Sequence, residues 1–375
     1  MDFQLNEEQR MLAESLRRYL ESEYNFEHRR RLARNDGSFS RATWHALADL
    51  GVLGLGVDPA YGGFGESSAT QMLVQHELGR ALLLEPVTPS AVMATAIFQA
   101  HGSEAQKAQW LPAMATGERI LTLAYLEQGQ RDADEDISTF ATPTAQGYSL
   151  TGRKTLVWHG EVADALLVSA RVEDGGVTVF LVPRAAPGVQ CRAYPTLDGQ
   201  CACDVSFQDV TLSAEASVVG SLGAGMAVLE SGLERGIAAL CAEAGGVMER
   251  LIEMTGEYLR TRQQFGRALG SYQALQHRMA DMLVQKELAV SMAYVAAQAL
   301  DEAEPAQRRR MLAAAKFMMA KAGRFIGQQA VQLHGGMGMT DELAVGDYFK
   351  RLTMLDPLLG DSDSQLARYA ELLEP

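Results

Sequence analysis

The feature that most constrains this chain is one apolar stripe: Leu229, Leu233, Ile237, Leu240, Ala244, Val247 and Leu251 recur at helical spacing. Such a stripe is one face of a long helix, and a helix of that length needs partners to cover it. Two further long stripes follow, one from Leu275 through Met279, Met282 and Ala289 to Met292, the other from Met311 through Ala315, Met318, Ala322, Phe325 and Ala330 to Leu333. A shorter one is formed by Leu352, Leu355, Leu358 and Leu359. Long helices joined by short links predict an antiparallel four-helix bundle over residues 218–375.

Upstream the periodicity changes twice. Residues 5 to about 118 read as helices: Asn6 offers a cap with Glu7 and Glu8 behind it, and Trp44, Leu47 and Ala48 share a face of a helix that stops at Gly51. Pro59-Ala60-Tyr61-Gly62-Gly63-Phe64-Gly65 is a turn-rich connector, and further helices are expected at 67–84, 89–102 and 104–116. From about Glu118 the pattern is short β-rich runs, 122–126, 148–156, 165–170, 177–182 and 205–210, separated by Gly, Pro and Asp turns. The fold class is therefore α+β and mainly α: an N-terminal helical domain (1–118), a middle β-sandwich or barrel domain (119–217) and the C-terminal bundle (218–375). No internal repeat of fixed period is visible.

Composition narrows the partners. At 375 residues and 47% apolar residues the chain can bury a large core. No apolar run approaches the roughly 18 residues of a membrane-spanning helix, and the N-terminus lacks the order of a signal peptide, so a soluble cytoplasmic protein is expected. The net charge of −14 disfavours nucleic acid and anionic membrane surfaces. Cys201 and Cys203 alternate along a strand and with Cys191 suggest a metal, but no fourth ligand stands at zinc spacing, so these thiols read as structural. The acidic run Asp132 to Asp136 reads as a solvated loop.

Chemistry concentrates in two stretches of the bundle. Arg260-Thr261-Arg262-Gln263-Gln264-Phe265-Gly266-Arg267 places guanidinium groups, an aromatic and a glycine at a helix end. A guanidinium binds a diphosphate in bidentate fashion, and glycine admits a close backbone approach; cations set against a helix dipole are the plainer explanation. Gln332-Leu333-His334-Gly335-Gly336-Met337-Gly338 ends another helical run, and a simple C-cap does not need three glycines in four positions.

Together these stretches, the α, β, α order and the loop at Pro59 resemble the acyl-CoA dehydrogenase flavoenzymes over nearly the whole chain. The resemblance implies that Arg262, Gln264, Phe265, Gln332, Gly335 and Gly336 face the ADP half of an FAD whose ring is held mainly by a neighbouring subunit. It implies α,β-dehydrogenation of an acyl-CoA thioester, as in fatty acid or steroid side-chain β-oxidation, with electron-transfer flavoprotein as the acceptor.

Two departures stand out. The position of the family's usual catalytic glutamate is Leu359, which cannot take a proton. Some members place the base on the first bundle helix, where this chain has Gly232-Leu233-Glu234-Arg235-Gly236; Glu234 is then the candidate base, although a glutamate beside an arginine near a helix start also makes simple ion pairs. Glu243, nine residues on at about 100° each, points to the opposite side and ranks lower. In the β domain the family's hydroxyl-bearing flavin loop is replaced by Leu126-Glu127-Gln128-Gly129-Gln130-Arg131-Asp132, and the expected tryptophan position is Leu156. The chain thus resembles the small-subunit branch typified by pimeloyl-CoA and steroid side-chain dehydrogenases, which implies an α2β2 heterotetramer with a homologous subunit. A homotetramer using Glu234, and a non-catalytic partner that completes its mate's FAD site, remain alternatives.

Overall fold

The computed structural model describes residues 6–35, 37–130, 136–173 and 176–373. The chain forms two compact units, one of Met1–Arg30, Ser68–Leu83 and Ile237–Pro375, the other of Arg31–Ser67 and Leu84–Gly236. Among the described residues the helices are, in order, α1 (Glu7–Glu23), α2 (Phe26–Asn35), α3 (Arg41–Asp49), α4 (Ser68–Ala81), α5 (Thr95–His101), α6 (Glu104–Ala115), a short α7 (Ala214–Ser217), α8 (Gly225–Thr261), α9 (Gln273–Glu302), α10 (Pro305–His334), α11 (Val345–Leu355) and α12 (Ser362–Glu371). None is long and apolar enough to cross a membrane.

In the first unit, Asn6 caps α1 as expected: its side chain accepts from Gln9 N, and Gln9 reaches back to the cap backbone. The stripe of α8 is core, with Leu240, Ala244, Val247 and Leu251 fully buried. The crossing of α4 and α8 is unusually close. A Cβ at Gly79 would lie 2.1 Å from Glu243 O, and one at Gly246 would lie 1.9 Å from His76 O, so backbone packs on backbone and only glycine fits at either position. Where the chain leaves α4, Tyr348 donates to Arg80 O (2.5 Å) and Arg29 Nε to Leu82 O (2.8 Å), satisfying carbonyls that the helix end leaves open.

Two buried cations fix α11. Arg351 binds Glu243 through two hydrogen bonds of 2.6 and 2.9 Å, with both side chains buried. Lys316 Nζ donates to Leu355 O (2.6 Å) and Asp356 O (2.8 Å), and burial pulls its ammonium down to about 8. A cation at a helix C-terminus is well placed against the dipole, and here it marks the stop. The fourth helical stripe therefore ends at Leu355: Leu358 and Leu359 lie beyond α11, Leu359 with φ +60° and Gly360 with φ +91°, and the chain then enters α12, which the apolar spacing did not reveal.

In the second unit, Ser40 caps α3 through Thr43 N (3.2 Å), and Trp44 and Leu47 are fully buried. The helix expected at 89–102 opens differently, as a wholly buried π-helical turn over Val87–Ala94 that runs into α5. The strands are β1 (Leu121–Ala124), β2 (Phe140–Thr144), β3 (Gly147–Trp158), β4 (Ala165–Val172), β5 (Gly176–Pro183), β6 (Val189–Pro195), β7 (Cys201–Ser213) and β8 (Val218–Val219). They form one eight-stranded sheet in the order β6-β7-β3-β2-β4-β5-β8, with β1 parallel to β4. Bulges between Leu150 and Gly152 and between Lys154 and Val157 shift the register of the long β3–β7 ladder. Cys191, Cys201 and Cys203 share one face of the β6–β7 ladder, because Cys203 and Cys201 stand opposite Ala193 and Pro195. Of the acidic loop only Asp136 is described, and it accepts from Arg171 (3.1 Å); Arg131 to Glu135 lie outside the described residues.

Glu127 sits at the centre of this unit's polar interior. It accepts from Lys154 Nζ (2.7 Å), Ser138 N (2.8 Å), Thr139 N (2.9 Å) and the Ser138 hydroxyl. Lys154 also donates to Ser169 Oγ (3.0 Å) and Tyr125 O (3.2 Å). Burial opposes the carboxylate, but these donors outweigh it and hold Glu127 at about 2; burial brings Lys154 down to about 8 against the attraction of Glu127. Both groups are thus charged at neutral pH.

Two outcomes test these pairs. Arg351→Met strands a buried carboxylate and should cost about 3–5 kcal/mol, whereas Arg351→Met with Glu243→Met should recover most of that in a denaturant titration. A folded pKa held below the unfolded value gives stability that is present above the unfolded pKa and is lost as pH falls toward the folded one. Wild-type melting temperature should therefore drop between about pH 5 and 3 more steeply than that of Glu127→Gln with Lys154→Met; equal slopes would exclude the pair from the acid response.

Candidate cofactor site and candidate base

The first unit builds a site from two helix ends. At the end of α8, Arg262 N–H still donates to Tyr258 O (2.8 Å), and the chain then turns back as a hairpin of β9 (Gln263–Gln264) and β10 (Arg267–Ala268). The two-residue turn is Phe265-Gly266, with φ of +53° and +81°. Positive φ at both central positions is a type I′ turn, whose twist matches the strands it joins. Glycine accepts this without strain, whereas phenylalanine adopts it against its preference and stands 88% exposed at the tip.

At the end of α10 the three glycines have three different reasons. Gly335 takes φ +59° and ψ −139° as the C-cap, a backbone region essentially confined to glycine. Gly338 is needed for packing, since a Cβ there would lie 2.8 Å from Val331 O. Gly336 has neither reason. Its φ is not positive, and a Cβ would meet nothing within 4 Å, as is also true at Gly335. A helix end that is bare where no packing requires it leaves room for something that is not protein.

Aromatic stacking brings the two ends together. Tyr258, one helical turn before Arg262, stacks on His334, the last residue of α10, with ring centroids 4.4 Å apart and an interplanar angle of 30°. Its hydroxyl donates to His334 O (3.4 Å), and His334 Nδ1 meets Ala330 O at 2.8 Å. Burial pushes the His334 pKa down, so the imidazole is neutral. Arg262, Gln264, Phe265, Gln332, Gly335 and Gly336 are all exposed on this paired end. The arrangement fits a diphosphate-bearing nucleotide: a guanidinium, two amides, an aromatic and a side-chain-free backbone all open to solvent. Tyr258 was in the sequence, but its stacking partner 76 residues away could not be read there.

The candidate base lies in the second unit. Glu234 is buried at 7% exposure near the start of α8. Two residues earlier, a Cβ at Gly232 would lie 2.8 Å from Ile97 and 3.0 Å from Met93 O, so this part of α8 rests on the π-helical turn and α5. Glu243, in the first unit, has both carboxylate oxygens bound to Arg351. Leu359 is 8% exposed, and its carbonyl accepts from Gln365 Nε2 (3.1 Å). In the loop at 126–130, Glu127 is bound to Lys154 (2.7 Å); beyond it Leu156 takes φ +50° with its N–H donating to Tyr194 Oη (3.2 Å).

Comparison with known proteins agrees with this organisation. Family models for the acyl-CoA dehydrogenase N-terminal, middle and C-terminal domains match residues 6–118, 122–210 and 223–373. Among curated proteins, acyl-CoA dehydrogenase FadE27 of Mycobacterium tuberculosis is 33% identical over 354 residues, 92% of either chain. The mitochondrial isovaleryl-CoA dehydrogenase of Pongo abelii is 28% identical over 96% of this chain and 87% of its own. Among solved structures, a chain of the ChsE4-ChsE5 complex from Mycobacterium tuberculosis superposes with a TM-score of 0.90 at 31% identity over the whole of both chains. The chain therefore belongs to the acyl-CoA dehydrogenase family, FAD-dependent oxidoreductases that act on CH–CH bonds.

Proposed function

We propose that this chain is one subunit of an α2β2 acyl-CoA dehydrogenase, oxidising an acyl-CoA thioester and passing electrons to an electron-transfer flavoprotein. The supporting observation is an asymmetry. The end of the first unit that fits a diphosphate-bearing nucleotide is open, with Gly335 and Gly336 bare beside the Tyr258–His334 stack. The loop 126–130 carries no hydroxyl side chain, and its carboxylate is used internally. Such a chain grips the ADP half of a cofactor whose ring a homologous mate holds. The similarity to one chain of the ChsE4-ChsE5 complex supports such a pairing, and the three segments 1–118, 119–217 and 218–375 are taken as the functional division.

FAD, when bound, would supply a hydride acceptor for the β carbon. Arg262 would hold it by neutralising its diphosphate, Gln264 and Gln332 would offer amides, Phe265 would offer an apolar surface, and Gly335 and Gly336 would admit the backbone approach. Glu234 takes the α proton of the thioester. Its burial supports that role, because it keeps bulk water away from the carboxylate. Leu359 favours the second reading, in which this chain has no base and only completes its partner's site.

Co-expression with and without a homologous mate, followed by flavin quantification per chain, separates these readings. The mixed assembly should be yellow and the lone chain pale; a flavin-replete, active homo-oligomer overturns the heteromeric assignment. In the loaded assembly Glu234→Gln should lower kcat by about 10²–10⁴ and leave flavin bound, and unchanged turnover assigns the base to the other chain. Arg262→Ala should weaken FAD retention about tenfold or more, as loss of a charge-assisted contact does; retention equal to wild type removes Arg262 from the cofactor site.

A further inference from the structure

The hairpin after α8 carries a second arginine whose placement no packing role explains. Arg267 stands opposite Gln264, and Ala268 opposite Gln263. Leu269 N–H donates to Arg262 O (2.9 Å), which extends the ladder by one pair. Side chains alternate across a strand, so Arg262, Gln264 and Arg267 share one face, and Gln263 and Ala268 lie on the other. The guanidinium carbon of Arg267 lies 4.0 Å from the centroid of the Tyr272 ring. Tyr272 Oη in turn donates to Gln264 O (3.5 Å), so the ring under the cation is tied back to the strand.

Among the described residues neither Arg262 nor Arg267 has a carboxylate at ion-pair distance, in a chain with 47 acidic residues against 33 basic ones. The dipole of α8 accounts for a cation at Arg262 but not for one beyond the turn. A guanidinium held over an aromatic face spends no N–H on a carboxylate, and its planar fork is what two adjacent phosphoryl oxygens match.

We propose that Arg267, seated over the Tyr272 ring, is a phosphate-binding residue that forms with Arg262 a two-guanidinium clamp on a nucleoside diphosphate, the ADP half of FAD. This rests on the cofactor reading above. One arginine fork meets one pair of oxygens, whereas a diphosphate presents more charge than a single fork neutralises. Two forks on one hairpin face meet that charge without bringing a side chain from elsewhere. Tyr272 acts as a positioning residue, because it seats the guanidinium over its ring and touches no phosphate.

The test uses the full-length protein in the assembly in which it is isolated, stripped of flavin and titrated calorimetrically with ADP and with adenosine. Arg267→Gln should weaken ADP about tenfold, the scale of one charge-assisted contact, lessen the salt dependence of ADP binding and leave adenosine affinity unchanged. Arg267→Lys should restore only part of the loss, and Tyr272→Leu should cost roughly two- to fivefold for ADP alone. FAD should displace bound ADP while coenzyme A, which carries the same diphosphate, should not. ADP binding by Arg267→Gln equal to wild type, while Arg262→Ala loses it, overturns the clamp and leaves the cofactor reading standing. Equal losses for ADP and adenosine overturn it too, by assigning Arg267 to the fold. Displacement by coenzyme A and not by FAD overturns the assignment to the cofactor, and a wild-type protein that binds neither ADP nor FAD overturns the reading underneath.

Discussion

The contact on which the first unit depends is the approach of α4 to α8, backbone against backbone at Gly79 and Gly246. Bare backbone brings the helices together, but it supplies no specificity of its own. That comes from Glu243, whose carbonyl lies against Gly79 and whose carboxylate holds Arg351 of α11. One residue thus ties three helices, and the carbonyls left where α4 ends are taken up by Tyr348 and Arg29. Both oxygens of that carboxylate are engaged by the one guanidinium, so the tie between the helices is made at two points.

Helices and strands were legible wherever one periodicity ruled a long stretch. The stripe of α8, the cap at Asn6 and the buried faces at Trp44 and Leu47 follow from local spacing alone. Where the reading stopped short, long-range contacts had replaced local signals. β2 is short, contains Pro143 and is largely exposed, so it shows no clean alternation. The end of α11 depends on Lys316, nearly forty residues upstream, reaching its last carbonyls. The π-helical turn at Val87–Ala94 is buried on every side, and uniform burial leaves no stripe to read.

The site divides in the same way. The residue types at Arg262, Phe265, Gly335 and Gly336 were the sequence's reason to expect a nucleotide; in the structure Gly335 has a conformational reason as a C-cap, and Gly336 alone of the three glycines has neither a conformational nor a packing one. The means of bringing the two stretches together, Tyr258 on His334, lay beyond the reach of spacing rules because a stack between distant aromatics has no local pattern. Arg267 was visible as part of a cluster, but its shared face with Arg262 needed the hairpin register.

That register also limits how the region can vary. With only Phe265 and Gly266 between the strands, inserting or deleting a single residue would rotate every later side chain of the hairpin to the opposite face. Descendants of this gene can exchange the aromatic at the tip, or trade one amide for another, at modest cost. A change of loop length by one codon would turn Arg267 away from Arg262 in a single mutational step.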